Sequence, residues 1–322
     1  MIKTKFAIFV LMASLLSIGT ERSQAQTVGY ADAIAQLAAN CSNDIEKYCK
    51  KANLGGGRVQ QCLDQNRASI SPSCKTTMVN MRVQLQKRAA ARAGVMKICE
   101  RDILKFCGGI QQGDGNLMEC FSTAKRNMSA QCQRAVADAG YDASIASAPV
   151  KDQINLGSSD IIGSLQGVET ASTEINAASL RQLVARGMQD PSRVNRVNRE
   201  PLSVELGKQA QLTIAIQFDL GSARIRPDSF RGVGLMADAL YHPYLQGYRF
   251  LIVGHTDAKG SREFNLKLSQ QRADAIREAL INPFGISPAR IESVGLGEEQ
   301  LLNRSNPEAA ENRRVQLINI GK

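Results

Sequence analysis

Apolar and polar positions alternate in a clear strand-and-helix order from about residue 210 onward. Leu212, Ile214, Ile216 and Phe218 alternate with Thr213, Ala215 and Gln217, which is the period of a half-buried strand. Residues 219–223 turn, and Phe230, Val233, Met236 and Leu240 form a helical stripe. Residues 248–254, Tyr-Arg-Phe-Leu-Ile-Val-Gly, are short, apolar and β-prone, as a buried strand should be. Ser261 is placed to cap a helix running from Arg262 to about Leu280. In it Phe264, Leu268, Ile276 and Leu280 draw an apolar line along one face. Ile286 to Val294 predicts a further strand, Gly295-Leu296-Gly297-Glu298 a loop, and Val315 to Ile320 the last strand. This order predicts a layered sheet with helices packed on it. Arg272 interrupts the apolar line, a costly position unless a carboxylate and further hydrogen bonds satisfy it. Asp257, in the loop after the preceding strand, is the expected partner.

The N-terminal half has a helical period only. Ile34, Leu37, Cys41, Ile45, Tyr48 and Cys49 share one face, and Gly55-Gly56-Gly57 breaks the chain. A short helix around Cys62 should run back along the first, and Ser71-Pro72 should start a third near Cys74. Between the two halves, residues 139–205 turn to Ala, Ser, Gly and Asp, then to Asp190-Pro191, Arg193, Arg196, Arg199 and Pro201. This stretch reads as a flexible linker carrying one helix over Thr173–Met188, where Ile175, Leu180, Leu183 and Val184 are loosely periodic.

The start of the chain reads as a secretory signal over residues 1–25. Lys3 and Lys5 form a basic head, Phe6 to Ile18 an apolar run too short to favour a spanning helix, and Ser23-Gln24-Ala25 a cleavage site. No cysteine lies near that junction, and no later segment has a membrane-spanning length of apolar residues. The expected location is therefore the bacterial periplasm. The 322 residues carry a formal net charge of +10, of which +8 remains after residues 1–25 are removed. An exported chain with no tryptophan and no nucleic-acid motif is not expected to bind nucleic acid. Attraction to an anionic envelope and a merely solvated basic surface are both compatible with the composition.

All eight cysteines fall between residues 41 and 132, in two sets of four. Cys41, Cys49, Cys62 and Cys74 recur as Cys99, Cys107, Cys120 and Cys132 with a period of 58 residues. The flanks repeat too: Asp44, Ile45, Lys47 and Tyr48 correspond to Asp102, Ile103, Lys105 and Phe106, and Ser71 to Ser129. The pattern resembles the cysteine-rich repeat of the Golgi cysteine-rich glycoprotein family. Export and an even count point to disulfides. Zinc would want closer pairs or histidine partners, and His242 and His255 both lie in the other half. Four cysteines allow three pairings per repeat. A nested pairing fits the returning helices: Cys49–Cys62 inside Cys41–Cys74, and Cys107–Cys120 inside Cys99–Cys132. No CxxC motif and no cysteine–histidine neighbour suggests catalysis here. The third helix carries Arg82, Lys87, Arg88, Arg92 and Lys97 without an acidic residue between them, either a solvated face or one that meets an acidic partner.

Ile252-Val253-Gly254-His255-Thr256-Asp257, Gly260-Ser261, Asn265 and Leu268-Ser269-Gln270-Gln271-Arg272-Ala273 together resemble the signature of the OmpA-like peptidoglycan-binding domain. Phe218-Asp219-Leu220-Gly221-Ser222-Ala223, Gly295-Leu296-Gly297-Glu298 and Asn312-Arg313-Arg314-Val315 extend the resemblance over roughly residues 210–320. Gly221 stands where many members have Asn. The resemblance implies a non-catalytic protein that holds the peptide stem of peptidoglycan through diaminopimelate, with no cofactor and no metal. Asp257 would take the ammonium and Arg272 the carboxylate, with Thr256, Asn265 and Arg313 as lesser polar contacts. Asp257 and Arg272 pairing for structure alone is the competing reading. His255 stands with no nucleophile motif and no metal-ligand spacing, so it reads as a structural strand-end histidine rather than a catalytic one. The whole is expected to be an α+β multi-domain chain. It has two helical repeats within 30–138 (41–74 and 99–132), a linker at 139–205 and an OmpA-like βαβαβ-β domain at 206–322. A flexible tether is the default reading of the linker, and the resemblance offers the alternative that part of it packs on the domain. It is associated with the wall or outer membrane of a Gram-negative bacterium. An interaction scaffold is the alternative, in which an envelope protein binds the repeats and the C-terminal domain is only an anchor.

Overall fold

The computed structural model describes residues 27–110, 116–141, 158–165, 176–188, 206 and 209–322. The expected signal segment and most of the expected linker, including Asp190-Pro191 and the arginines after it, lie outside the described residues. Among the described residues no helix is long and apolar enough to cross a membrane.

The first repeat is built from α1 (Tyr30–Tyr48), α2 (Arg58–Gln65) and the start of α3 (Pro72–Ile98). The Gly55–Gly57 turn that separates α1 from α2 has Gly56 and Gly57 at positive φ, a conformation that favours glycine. The second repeat continues from α3 through α4 (Glu100–Cys107), α5 (Asn116–Ala124) and α6 (Ala130–Ala139). The disulfides are nested: Cys41–Cys74 around Cys49–Cys62, and Cys99–Cys132 around Cys107–Cys120. The duplication extends to hydrogen bonding. Ser71 caps α3 by accepting from Cys74 N and donates to Asp44; Ser129 caps α6 by accepting from Cys132 N and donates to Asp102. The aspartate of the repeated motif therefore fixes the entry to each repeat's last helix.

The C-terminal half is a four-stranded sheet in the order β1-β4-β2-β3, with β1 Gln211–Ile214, β2 Phe250–His255, β3 Ile291–Gly297 and β4 Val315–Asn319. β2 and β3 are parallel, and β4 is antiparallel to both β1 and β2. α9 (Phe230–Leu240) and α10 (Arg262–Ile281) supply the helices, and Ser261 caps α10 by accepting from Phe264 N. The larger differences from the pattern reading are at β1, β3 and Phe264. β1 ends at Ile214, although Phe218 still bridges Ile225. β3 begins at Ile291 because Pro288–Arg290 form a 3₁₀ turn, and it runs on through Gly295 to Gly297. Phe264, at the start of the apolar line, is 49% exposed.

Gly295 is strand rather than loop for a steric reason. Gly254 and Gly295 are register partners on β2 and β3. A Cβ at Gly254 would lie 2.3 Å from Ser269 O, and one at Gly295 would lie 2.1 Å from Gln270 N. Two bare backbone positions thus let α10 lie directly on the sheet.

The sheet has two buried faces. Leu251, Val253, Val294, Leu296, Ile318 and Ile320 pack against Ala177, Leu180 and Val184 of α8 (Ala177–Met188). The other face carries α9 and α10, and its core continues without a break into the first repeat. Tyr30, Ile34, Leu37, Cys41 and Ile45 belong to the same buried cluster as Val233, Met236, Phe250, Ile252 and Ile276. Ile161, Ile162 and Leu165 of α7 (Ser158–Leu165) join it. The described pieces of the expected linker are therefore packed elements.

The junction is built closely. A Cβ at Gly234 of α9 would lie 2.6 Å from Ala31 Cα, and one at Gly55 would lie 2.7 Å from Glu278 Cβ. Asp238 of α9 accepts from Tyr30 N and Ala31 N, so a carboxylate from the C-terminal half caps the start of α1. Arg88 of α3, fully buried, donates to the same carboxylate at 2.9 Å. Arg92 lies 3.4 Å from the Tyr241 ring centroid and donates to Tyr30 Oη. The expected basic face of α3 is thus partly corrected. Arg88 and Arg92 turn inward onto the molecule's own C-terminal half, and Arg82 pairs with Asp64.

Candidate functional site

The sheet topology gathers four segments at one end: the loops after β1, β2 and β3, and the segment entering β4. This is the carboxyl end of the parallel pair, where α/β sheets commonly open a crevice. The expected site residues meet here. Asp257 follows β2, Asn265 lies in the first turn of α10, and Arg272 lies midway along it. Arg313 lies two residues before β4, and the register Gly254↔Val315 carries it beside the loop after β2.

That register corrects the expected pairing. Asp257 Oδ2 accepts from Arg313 Nη1 at 2.6 Å, and Arg272 makes no direct ion pair with it among the described residues. Arg272 instead donates from Nε to the Ser222 carbonyl at 3.0 Å, and its guanidinium lies 4.8 Å from the Phe218 ring centroid. Both belong to the loop after β1. Only 7% of Arg272 is exposed, and among the described residues no hydrogen bond engages its Nη groups. Burial first, then the charge of Arg313, pulls its pKa below the usual arginine range, while Asp257 opposes the shift. The site therefore holds a carboxylate and a guanidinium that feel each other's field without closing on each other.

The Asp257 loop is held from several sides. Asn265 Nδ2 donates to Asp257 O and, at 2.6 Å, to Glu298 Oε2. Thr256 N donates to Gly297 O; its buried hydroxyl has no partner among the described residues. Ala258 N donates to Pro307 O. Asn312, fully buried, donates its side-chain amide to the carbonyls of Asn303, Asn306 and Pro307. Thr256, Asn265 and Asn312 thus order the loops around the two charges. His255 is 1% exposed, and burial, reinforced by Arg314, holds its pKa well below the ordinary histidine value. A neutral imidazole at the strand end fits a structural role. No group of three or more potential metal ligands occurs among the described residues.

Comparison with known proteins matches this region. A model of the OmpA family covers residues 217–314. Peptidoglycan-associated lipoprotein of Pseudomonas putida is 36% identical over 118 residues, which are 36% of this chain and 68% of the relative. Its counterpart from Pseudomonas aeruginosa is 32% identical over 137 residues, 41% of this chain and 79% of the relative. The chain belongs to the OmpA family. A model described as cysteine rich repeat also matches residues 31–71 and 72–129. Among solved structures, the peptidoglycan-associated lipoprotein from Burkholderia pseudomallei is 31% identical, covering 38% of this chain and 97% of that one, with a TM-score of 0.28.

Within the OmpA-family segment, sequence reading missed the contributions of Phe218, Ser222 and Glu298. Phe218 and Ser222 lie in a stretch that matches the family pattern, but Ser222 acts through its main-chain oxygen, which no side-chain pattern reveals. Gly221, where many members have Asn, has φ +60° next to the fully exposed Leu220. The tip of this loop therefore contributes a left-handed turn and no polar side chain.

Proposed function

We propose that this chain is a non-catalytic cell-envelope protein that binds peptidoglycan without a covalent bond, through the diaminopimelate of the peptide stem. The observation that carries the reading is Arg272: a largely buried guanidinium, fixed through Nε, with no hydrogen bond to its Nη groups among the described residues and within the field of the Asp257 carboxylate. A diaminopimelate end carries both an ammonium and a carboxylate. Its carboxylate meets the Nη groups of Arg272, and its ammonium meets Asp257, which is oriented by Arg313. Such a clamp binds a zwitterion and excludes ligands with only one of the two charges. Family membership and the two peptidoglycan-associated relatives support the ligand class and a location against the wall in the periplasm or at the outer membrane. The scaffold alternative loses ground because Arg88 and Arg92, two of the residues that offered an acidic partner a surface, are used inside the molecule.

The test is co-sedimentation of the full-length processed protein with purified sacculi, with free diaminopimelate as competitor. Binding should be competed by diaminopimelate and lost in the Asp257→Ala/Arg272→Ala double variant. Undiminished binding by that variant would remove the clamp.

A further inference from the structure

We infer that the first cysteine-rich repeat is part of the binding apparatus: Asn53 and Glu46 act as positioning residues that brace the loop holding Arg272. The inference rests on the clamp reading above and extends it to a part of the chain that no wall-binding motif touches.

The loop after β1 is a small hairpin. Phe218 bridges Ile225, and Asp219 N donates to Arg224 O. Its two contributions to the groove are the Ser222 carbonyl and the Phe218 ring, the two contacts that fix Arg272. A two-stranded ribbon of this size is marginal by itself, and its exposed tip, Leu220-Gly221, adds no support. Ile216 and Ile225 anchor its base in the core and Gln217 N donates to Ser229 Oγ, and the segment nearest Ser222 is held in addition by the repeat. Asn53 lies between Cys49 and the Gly55–Gly57 turn. Its Nδ2 donates to Ala223 O at 2.7 Å, and its Oδ1 accepts from Ile225 N at 3.2 Å, so one side-chain amide clasps the hairpin backbone on either side of Arg224. Asn53 Oδ1 also accepts from Leu54 N, which fixes its own orientation. Arg224, 8% exposed, is gripped at 2.7 Å by Asp219 of the hairpin and at 2.7 Å by Glu46 of α1. The residues that brace the hairpin are in turn held by Cys41–Cys74 and Cys49–Cys62.

The path is contiguous: stapled helix, Asn53 and Glu46, hairpin, Ser222 carbonyl, Arg272 guanidinium. Because the last contact is a main-chain oxygen, its position depends on the hairpin as a whole. Loosening the brace lets the arginine wander from its fixed geometry, and the ligand then has to order it on binding. Groove occupancy and integrity of the first repeat are therefore thermodynamically linked.

The test uses the full-length processed protein with its disulfides formed. Three variants are compared: Asn53→Ala, Glu46→Gln, and Asp102→Ala, which breaks the corresponding serine contact in the second repeat. The ligand is a soluble muropeptide containing diaminopimelate. Asn53→Ala should weaken binding about three- to tenfold, Glu46→Gln less, and Asp102→Ala not at all. The Arg272 Nε–H resonance should shift and exchange faster with solvent in Asn53→Ala, with or without ligand, while thermal unfolding reports any general loss of stability. Equal weakening in Asn53→Ala and Asp102→Ala, or an Arg272 Nε–H resonance unchanged in both brace variants, overturns the brace. Failure of the clamp reading looks different: Arg272→Ala binds muropeptide at full affinity while Asn53→Ala still moves the Nε–H resonance.

Discussion

Arg88 and Arg272 are both buried arginines in helices, and the molecule satisfies them by opposite means. Arg88 has a carboxylate, Asp238, and a carbonyl, Val28 O, so its charge is neutralised internally. Arg272 has one carbonyl and an aromatic ring, which orient the guanidinium without neutralising it. That difference separates a structural cation from one available to an anion. His255 is a further buried basic residue, at the end of β2, and its pH behaviour can be worked out. Its folded pKa lies well below the ordinary 6.5 of the unfolded chain, chiefly through burial. Above the unfolded value neither state binds the proton. Below it the unfolded chain takes the proton first, so stability falls as pH drops, by up to about 1.4 kcal/mol per pH unit until the folded pKa is reached. Replacing His255 with Leu should remove that component. Urea denaturation of both proteins at pH 7.5 and 5.0 measures it, and an equal loss on acidification in both would show that His255 is not the group responsible.

At the level of elements, the apolar patterns located α9, α10, β2 and β4 well, because α10 buries a stripe of its own residues and α9, β2 and β4 are buried along most of their length. The reading failed where the determinant was not a side-chain period. Gly295 and Gly297 look like loop residues in isolation, yet they finish β3 because α10 rests on them. Ser222 and Asn53 could not be linked to Arg272 from sequence, since the contacts run through main-chain atoms across the fold. The disulfide pairing was legible because the helices must turn back at the glycine run and the duplication supplies the answer twice. The role of the strand glycine can be measured. Gly295→Ala places a methyl 2.1 Å from Gln270 N and 2.5 Å from its Cα, backbone atoms that move only with the whole helix. A destabilisation of about 1–3 kcal/mol is expected, with weakened sacculus binding as α10 carries Arg272 away. Gly163→Ala on α7, where nothing lies within 4 Å of the new Cβ, should instead stabilise by about 0.4–1 kcal/mol. Chemical denaturation of the two variants decides this, and a neutral Gly295→Ala would mean that α10 does not rest on the sheet as described.

At the scale of the whole molecule, the repeats and the sheet were expected to be separate bodies joined by a tether, and this was where the sequence was least informative. Arg88 and Asp238 lie 150 positions apart, and nothing local marks either as the other's partner. The basic row on α3 looked solvated because its acidic counterpart belongs to another part of the chain. With the junction in place, one carboxylate caps α1, neutralises Arg88 and anchors α9, so the first repeat and the sheet should unfold as one cooperative unit. Asp238→Ala removes all three functions and leaves a buried guanidinium without its carboxylate, a loss of about 3–5 kcal/mol. Adding Arg88→Met removes the stranded charge and should recover much of that loss, though not the cap, which is worth about 1 kcal/mol. Native-state hydrogen exchange reads this element by element. In the wild type the slowest amides of α1 and β2 should share one opening free energy, and in Asp238→Ala both should fall together. If α1 lost protection in that variant while β2 kept its wild-type value, the repeat would be a separately folding attachment. The mechanical link from its disulfides to Arg272 would then be absent in solution.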